Sequence, residues 1–92
     1  MSKEVLVGDK ELGRYFTAVE QQFEESDSVR LLSRGQENNG KALDLAEILR
    51  RDDEDSDLEC SVDQMHTSTK EYELDGGEEV RVTELEIEMK KK

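Results

Sequence analysis

The stretch VRLLSRGQENNGKALDLAEILRR, residues 29–51, changes its apolar period once along its length, and that change decides the fold class. Val29, Leu31 and Leu32 have the β-branched and aliphatic character of a buried strand. Residues 33–40 interrupt it with two glycines and two asparagines, the composition of a polar loop. Beyond the loop, Ala42, Leu45, Ala46 and Leu49 recur at helical spacing, with Leu43 and Ile48 widening the stripe. This predicts a strand feeding a sheet-packed helix through a loop that carries Arg34 and Lys41. Cations beside backbone N–H groups suit phosphate.

The chain extends this unit in both directions. Val5, Leu6 and Val7 predict a first strand that turns at Gly8, Asp9 and Lys10. Leu12, Tyr15, Phe16, Val19 and Phe23 then form the apolar stripe of a first helix, ended by Ser26, Asp27 and Ser28. After the second helix, DDEDSD at residues 52–57 puts five acids in six positions and reads as a solvated loop. Leu58, Cys60 and Val62 alternate with polar residues, as do Leu85, Ile87 and Met89, and Asp75, Gly76 and Gly77 mark a hairpin tip between them. Met65 is out of phase with Val62, and Val80 and Val82 with Leu85, so a bulge or strong twist is expected in each arm. Residues 58–62 and 85–89 should pair within the sheet, 67–82 should project as a polar ribbon, and Lys90, Lys91 and Lys92 should end the chain in water. The expected fold is one domain over residues 1–92, an α/β (α+β) two-layer sandwich in the order β-α-β-α-β-β with a long C-terminal β-hairpin.

Composition bounds what such a fold can do. With 92 residues, 33% hydrophobic and 4% aromatic, the chain has little apolar mass to offset its conformational entropy alone, so a homodimer is expected. Its interface would use the broad second-helix stripe with Leu43 and Ile48. The net charge of −12 and mean hydropathy of −0.91 come from acids spread over every predicted element. That pattern suits a halophilic, salt-rich cytosol, where self-repulsion is screened within about 3 Å at 1 M. Lone Cys60 has the phase of a core residue and no partner for an internal disulfide. No apolar run is long enough for a membrane span, and MSKEVLVG lacks a signal-like apolar region, so a cytoplasmic protein is expected. His66 has no second ligand at metal spacing, and the acids lie in loops or on wet faces where nothing raises a carboxyl pKa. No catalytic residue, metal site or cofactor is therefore expected.

Three segments in order resemble the Alba family, small archaeal nucleic-acid-binding proteins. VLVGDK, residues 5–10, is similar to the family's first strand and turn, where paired lysines are usual. SRGQENNGKALDLAEILRR, residues 33–51, is similar to its ARGR-type loop and AVD-x-x-EI-x-R helix, with one extra residue between Gly35 and Lys41. RVTELEIEMKKK, residues 81–92, is similar to the closing strand with its basic end. The resemblance implies a dimer, associated with chromatin or RNA, that binds DNA or RNA with little sequence preference through the first turn, the second-strand loop and the hairpin arms. On matching positions, Lys10 keeps the second lysine of the pair while Asp9 replaces the first, Arg34 and Gly35 keep the loop motif, Gln36 stands where a second arginine is usual, and Lys41 opens the helix. Arg14, one helical turn after Lys10, either extends this patch or pairs with Glu11. The expected nucleic-acid-binding set is Lys10, Arg14, Arg34, Gly35 and Lys41. The hairpin departs from the pattern, since Glu71, Glu73, Asp75, Glu78 and Glu79 outweigh Lys70 and Arg81. An acidic arm does not embrace a phosphate backbone, which opens a second reading. In it, a protein-interaction module of the same fold has lost nucleic-acid binding and meets a basic protein partner through the hairpin and the 52–57 loop.

Overall fold

Alternation in the strands and a helical stripe in each helix sort the apolar residues onto surfaces that face one another. In the computed structural model, which describes residues 3–51 and 60–91, the elements are β1 (Lys3–Val7), α1 (Leu12–Glu25), β2 (Ser28–Arg34), α2 (Gln36–Arg50), β3 (Cys60–Glu73) and β4 (Glu79–Lys91). They form one four-stranded sheet ordered β1-β2-β4-β3. β1 runs parallel to β2, and the other two pairings are antiparallel. The parallel pair needs a crossover, and α1 supplies it. Val5 and Val7, Val29 and Leu31, and Leu85, Ile87 and Met89 face the helices, where they bury Tyr15, Val19 and Phe23 of α1 and Ala42, Leu45, Ala46 and Leu49 of α2. The two-layer α+β arrangement, its element order and its C-terminal hairpin are those expected from the sequence.

Two local expectations need correction. The polar loop foreseen over residues 33–40 is only Gly35, because β2 runs through Arg34 and α2 begins at Gln36. Gly35 makes the turn alone at φ 84° and ψ 158°, a region that a side chain would strain. The asparagines that suggested a loop are used inside the helix. Asn39 donates its amide N–H to Gly35 O at 2.8 Å and its side-chain Nδ2 to Thr83 O at 2.9 Å, and it accepts from Ser33 Oγ at 2.6 Å.

The second correction concerns the hairpin, where only one arm is bulged. Asp63 is the extra residue between Val62 and Gln64, whereas β4 pairs continuously from Glu79 to Lys91. Val80 and Val82 are out of phase with Leu85 because they lie on the opposite face of an unbroken strand, the sheet face that the helices leave open. Lys90 and Lys91, expected to lie in water, are exposed, and they also belong to β4. Lys90 Nζ lies 3.4 Å from Asp63, and Lys91 donates its backbone N–H to Asp27 O at 2.9 Å and its ammonium to Phe23 O at 3.3 Å. The 52–57 loop, Leu58 and Lys92 lie outside the described residues.

From Thr67 outward the two arms leave the helices behind and stay paired to Glu73 and Glu79. Gly77, at φ 80°, closes the tip by donating to Leu74 O at 2.9 Å. The ribbon stretches the molecule to 50 Å against 18 Å in its thinnest direction. On α2, Leu43 and Ile48 remain 45% and 40% exposed, more apolar surface than the sheet covers.

Two glycines of this region should respond oppositely to a methyl group. Gly35→Ala meets no steric neighbour but must hold a positive φ, so it should lower stability by about 1–3 kcal/mol. Gly40→Ala, in the interior of α2 with open space around it, should raise stability by about 0.5–1 kcal/mol. Thermal melts should move in opposite directions, by several degrees each at about 4–8 °C per kcal/mol. Equal shifts of one sign would contradict the turn geometry.

Candidate functional site

The β1–α1 turn is held from two sides. Tyr15 is buried in the first turns of α1, and its hydroxyl must find partners there. It accepts the backbone N–H of Gly8 at 2.8 Å and of Lys10 at 3.0 Å. From α2, Lys41 donates its ammonium to the carbonyls of the same two residues, at 2.9 Å to Gly8 and 2.8 Å to Lys10. That ammonium also lies 5.9 Å from the centroid of the Tyr15 ring. The turn's N–H groups and carbonyls are thereby fixed by one phenol and one ammonium. Gly8 suits the close approach, since a Cβ there would come within 3.3 Å of the Tyr15 hydroxyl.

This clamp sits among the cations that the acidic chain leaves uncompensated. Among the described residues, every lysine and arginine is paired with an Asp or Glu except Lys10, Arg14, Lys41 and Lys91. Lys91 is tethered to Phe23 O at the far end of α1. The other three gather at one place: Lys41 touches the Lys10 backbone, and Arg14 follows in the first turn of α1. Lys10 and Arg14 are both exposed. The alternative in which Arg14 pairs with Glu11 is not adopted; the two are linked only by the Arg14 N–H donating to Glu11 O at 3.0 Å. The result is a cluster of three cations without an ion-pair partner on a chain of net charge −12, with Asp9 and Glu11 flanking Lys10 in sequence and Glu37 and Asp44 sharing a concavity with Lys41.

Arg34 and Gly35 stand apart from that spot and are engaged by β4. The alternation of β2 sends Arg34 to the open sheet face, directly across from Glu84. Its Nε lies 2.9 Å from Glu84 Oε1, and its guanidinium lies 6.0 Å from the centroid of the Tyr72 ring. The Tyr72 hydroxyl donates to the same Oε1 at 3.2 Å, and Lys70 Nζ lies 3.9 Å from Oε2. The Gly35 N–H donates to Thr83 O at 3.0 Å. Farther along the open face, Arg30 Nε lies 3.0 Å from Glu86, a charge contact whose angle makes no hydrogen bond. A concavity of about 420 Å³ on this side has Leu6 and Leu32 in its lining, with Arg34, His66, Glu84 and Glu86 around them. Its two carboxylates make it a poor host for phosphate.

Two of these residues were not singled out from the sequence. Tyr15 was read as part of an apolar stripe, although a buried phenol always raises the question of its hydroxyl partner. Glu84 could be paired with Arg34 only once the strand order was known. Among the described residues, no three His, Cys, Asp or Glu side chains gather closely enough to hold a metal, and no helix is long and apolar enough to cross a membrane. Cys60 is buried and its thiol donates to Leu49 O at 3.1 Å.

No protein-family model matches the sequence, and no curated protein matches it at a significant level. Solved structures do. The chain is similar to Alba from Thermoplasma volcanium, with a TM-score of 0.78 and 25% identity over 96% of this chain and 99% of that one. It is also similar to ALBA1 from Trypanosoma brucei, with a TM-score of 0.71 over 97% of this chain and 68% of that one, where 20% identity speaks for the fold alone.

The clamp is open to direct test. Tyr15→Phe removes the acceptor of two backbone N–H groups and should cost about 1–3 kcal/mol of stability, with faster hydrogen exchange at the Gly8 and Lys10 amides than in the parent. Unchanged exchange at both amides would show that the phenol does not hold the turn.

Proposed function

We propose, on the premise that this chain is an Alba protein in fold over nearly its whole length, that it binds DNA or RNA with little sequence preference and catalyses no reaction. The observation that carries this reading is the gathering of Lys10, Arg14 and Lys41, the uncompensated cations, at a turn rigidified from both sides. Lys10 and Arg14 reach phosphates with free side chains. Lys41 spends two donors on the turn and keeps the third for a ligand. Arg34 and Gly35, set apart from that turn, complete the proposed set, with Arg34 contributing only when it leaves Glu84.

So few cations per protomer give modest electrostatic affinity, at a salt slope of about −0.9 for each duplex phosphate neutralised. A homodimer closed by Leu43 and Ile48 would present two copies of the spot and raise affinity through effective concentration. The acidic remainder fits a salt-rich archaeal cytoplasm, with the protein on the nucleoid or on RNA. There, 2′-hydroxyl and base contacts survive screening better than phosphate pairing does.

One observation favours a second reading. The hairpin cations are neutralised within the ribbon, Arg81 by Glu71 at 3.2 Å and Lys70 by Glu84, so the arm presents net negative charge suited to a basic protein partner. Protein purified in native salt with an absorbance ratio free of nucleic acid would favour that partner over the first reading.

Gel shifts over a KCl series test the site. Lys10→Ala and Arg14→Ala should each weaken binding and flatten the salt slope by about one for a lost phosphate contact. Lys41→Ala should weaken it further by loosening the turn. Parent-like affinity in all three would sink the site. Sedimentation in molar KCl should return a mass near twice 10.6 kDa, shifting toward monomer as salt is removed. A monomer at every salt concentration would remove the dimer from the account.

A further inference from the structure

The ion pair at the root of the hairpin is unlike the other surface pairs of this chain. Glu84 is 20% exposed, whereas Arg34, its partner, is 65% exposed. Arg34 Nε lies 2.9 Å from Glu84 Oε1, which also accepts the Tyr72 hydroxyl at 3.2 Å, and Glu84 Oε2 faces Lys70 at 3.9 Å. The adjacent carbonyl of Thr83 takes the Gly35 N–H and the Asn39 side-chain amide. Two consecutive β4 residues therefore occupy the arginine and the glycine N–H of a strand–helix junction that otherwise offers both to an anion.

We propose that Glu84 sets nucleic-acid affinity by holding Arg34 as an internal stand-in for a phosphate, an inference that rests on the nucleic-acid reading above. Arg34 joins the interface only by exchanging a carboxylate for a phosphate. The exchange gains little. A phosphate that meets Arg34 releases a condensed cation, while the Glu84 carboxylate left behind gathers a cation from solution. Arg34 then adds almost nothing to the salt slope or to affinity in the parent protein. A neutral side chain at position 84 removes the competitor and the cation uptake together, so Arg34 becomes a full phosphate contact.

A bracing role for Glu84 alone makes a different forecast. Tyr72 and Lys70 belong to β3, so the carboxylate also ties the two hairpin arms together at their base. Loss of a brace alters melting and hairpin exchange, but it creates no new contact that depends on Arg34.

The test uses the full chain, a fluorescent DNA duplex and its RNA counterpart, with anisotropy titrations over a KCl series. Glu84→Gln keeps the shape of the side chain and should bind roughly eightfold tighter at about 0.1 M KCl, with the slope steeper by about 0.9 and the advantage vanishing near 1 M. Arg34→Ala in the Glu84→Gln background should abolish that gain, while Arg34→Ala in the parent should change little. Tyr72→Phe, which leaves the carboxylate in place, should keep the parent slope. Glu84→Thr, neutral and strand-favouring, repeats the measurement should the glutamine variant fold poorly. A parent that binds, with Glu84→Gln matching it in affinity and slope, would overturn the inference and leave the nucleic-acid reading standing. A gain that persists without Arg34 would overturn it equally. Absence of binding by the parent and by both Glu84 variants would remove the nucleic-acid reading itself, and this inference with it.

Discussion

An ammonium that reaches from one helix to two carbonyls of a distant turn sets the geometry on which the rest of this surface depends. Lys41 joins α2 to the β1–α1 turn through Gly8 and Lys10, and the Tyr15 hydroxyl completes the hold from α1. Charge-assisted bonds of this kind contribute roughly 1.5–3 kcal/mol each, against about 0–1 kcal/mol for an exposed ion pair. The many carboxylate pairs on the outside of this molecule therefore do less to fix its shape than one lysine that has no carboxylate at all. By tying the start of α1 to the start of α2, the same contacts settle where Lys10 and Arg14 stand.

Charge on this chain is best understood by where it is cancelled. A total of −12 argues against a polyanion partner only if the potential is uniform. It is not uniform, because the carboxylates of the strands and the hairpin pair with Arg30, Arg34, Lys70 and Arg81, whereas Lys10, Arg14 and Lys41 are left without such a pair. The first turn escapes that cancellation. In strong salt only charges within a few ångströms are felt, so a local spot can act on a molecule that is acidic overall. The acidic ribbon keeps its own consequence, since a long arm lined with Glu71, Glu73, Asp75, Glu78 and Glu79 repels a phosphate backbone instead of wrapping it.

Periodicity made the layers legible. The stripes of Tyr15, Val19 and Phe23 and of Ala42, Leu45, Ala46 and Leu49 could only be sheet-facing helices, and the alternation of Leu85, Ile87 and Met89 could only be a half-buried strand. What misled was composition at residues 33–40, where asparagines and glycines that usually mark loops lie inside or at the start of a helix, because one glycine at φ 84° turns the chain by itself. The phase slip at Val80 and Val82 suggested a bulge or strong twist, since sequence cannot tell a shifted register from an unbroken strand with apolar residues on its open face. For the site, Lys10, Arg14 and Lys41 were recognisable as cations on nearby elements. That they are left without an ion pair could not be read from the sequence, since Lys10 lies between Asp9 and Glu11 and yet pairs with neither, while register brings Glu84 opposite Arg34.

The most direct measurement is a residue-resolved NMR titration of the full chain with a short duplex. Shifts should appear at the amides of Gly8, Lys10 and Arg14 and at the Lys41 side chain, while the hairpin tip from Leu74 to Glu78 stays silent. Perturbation confined to the tip, or spread evenly over the surface, would contradict the assignment of nucleic-acid binding to the clamped turn.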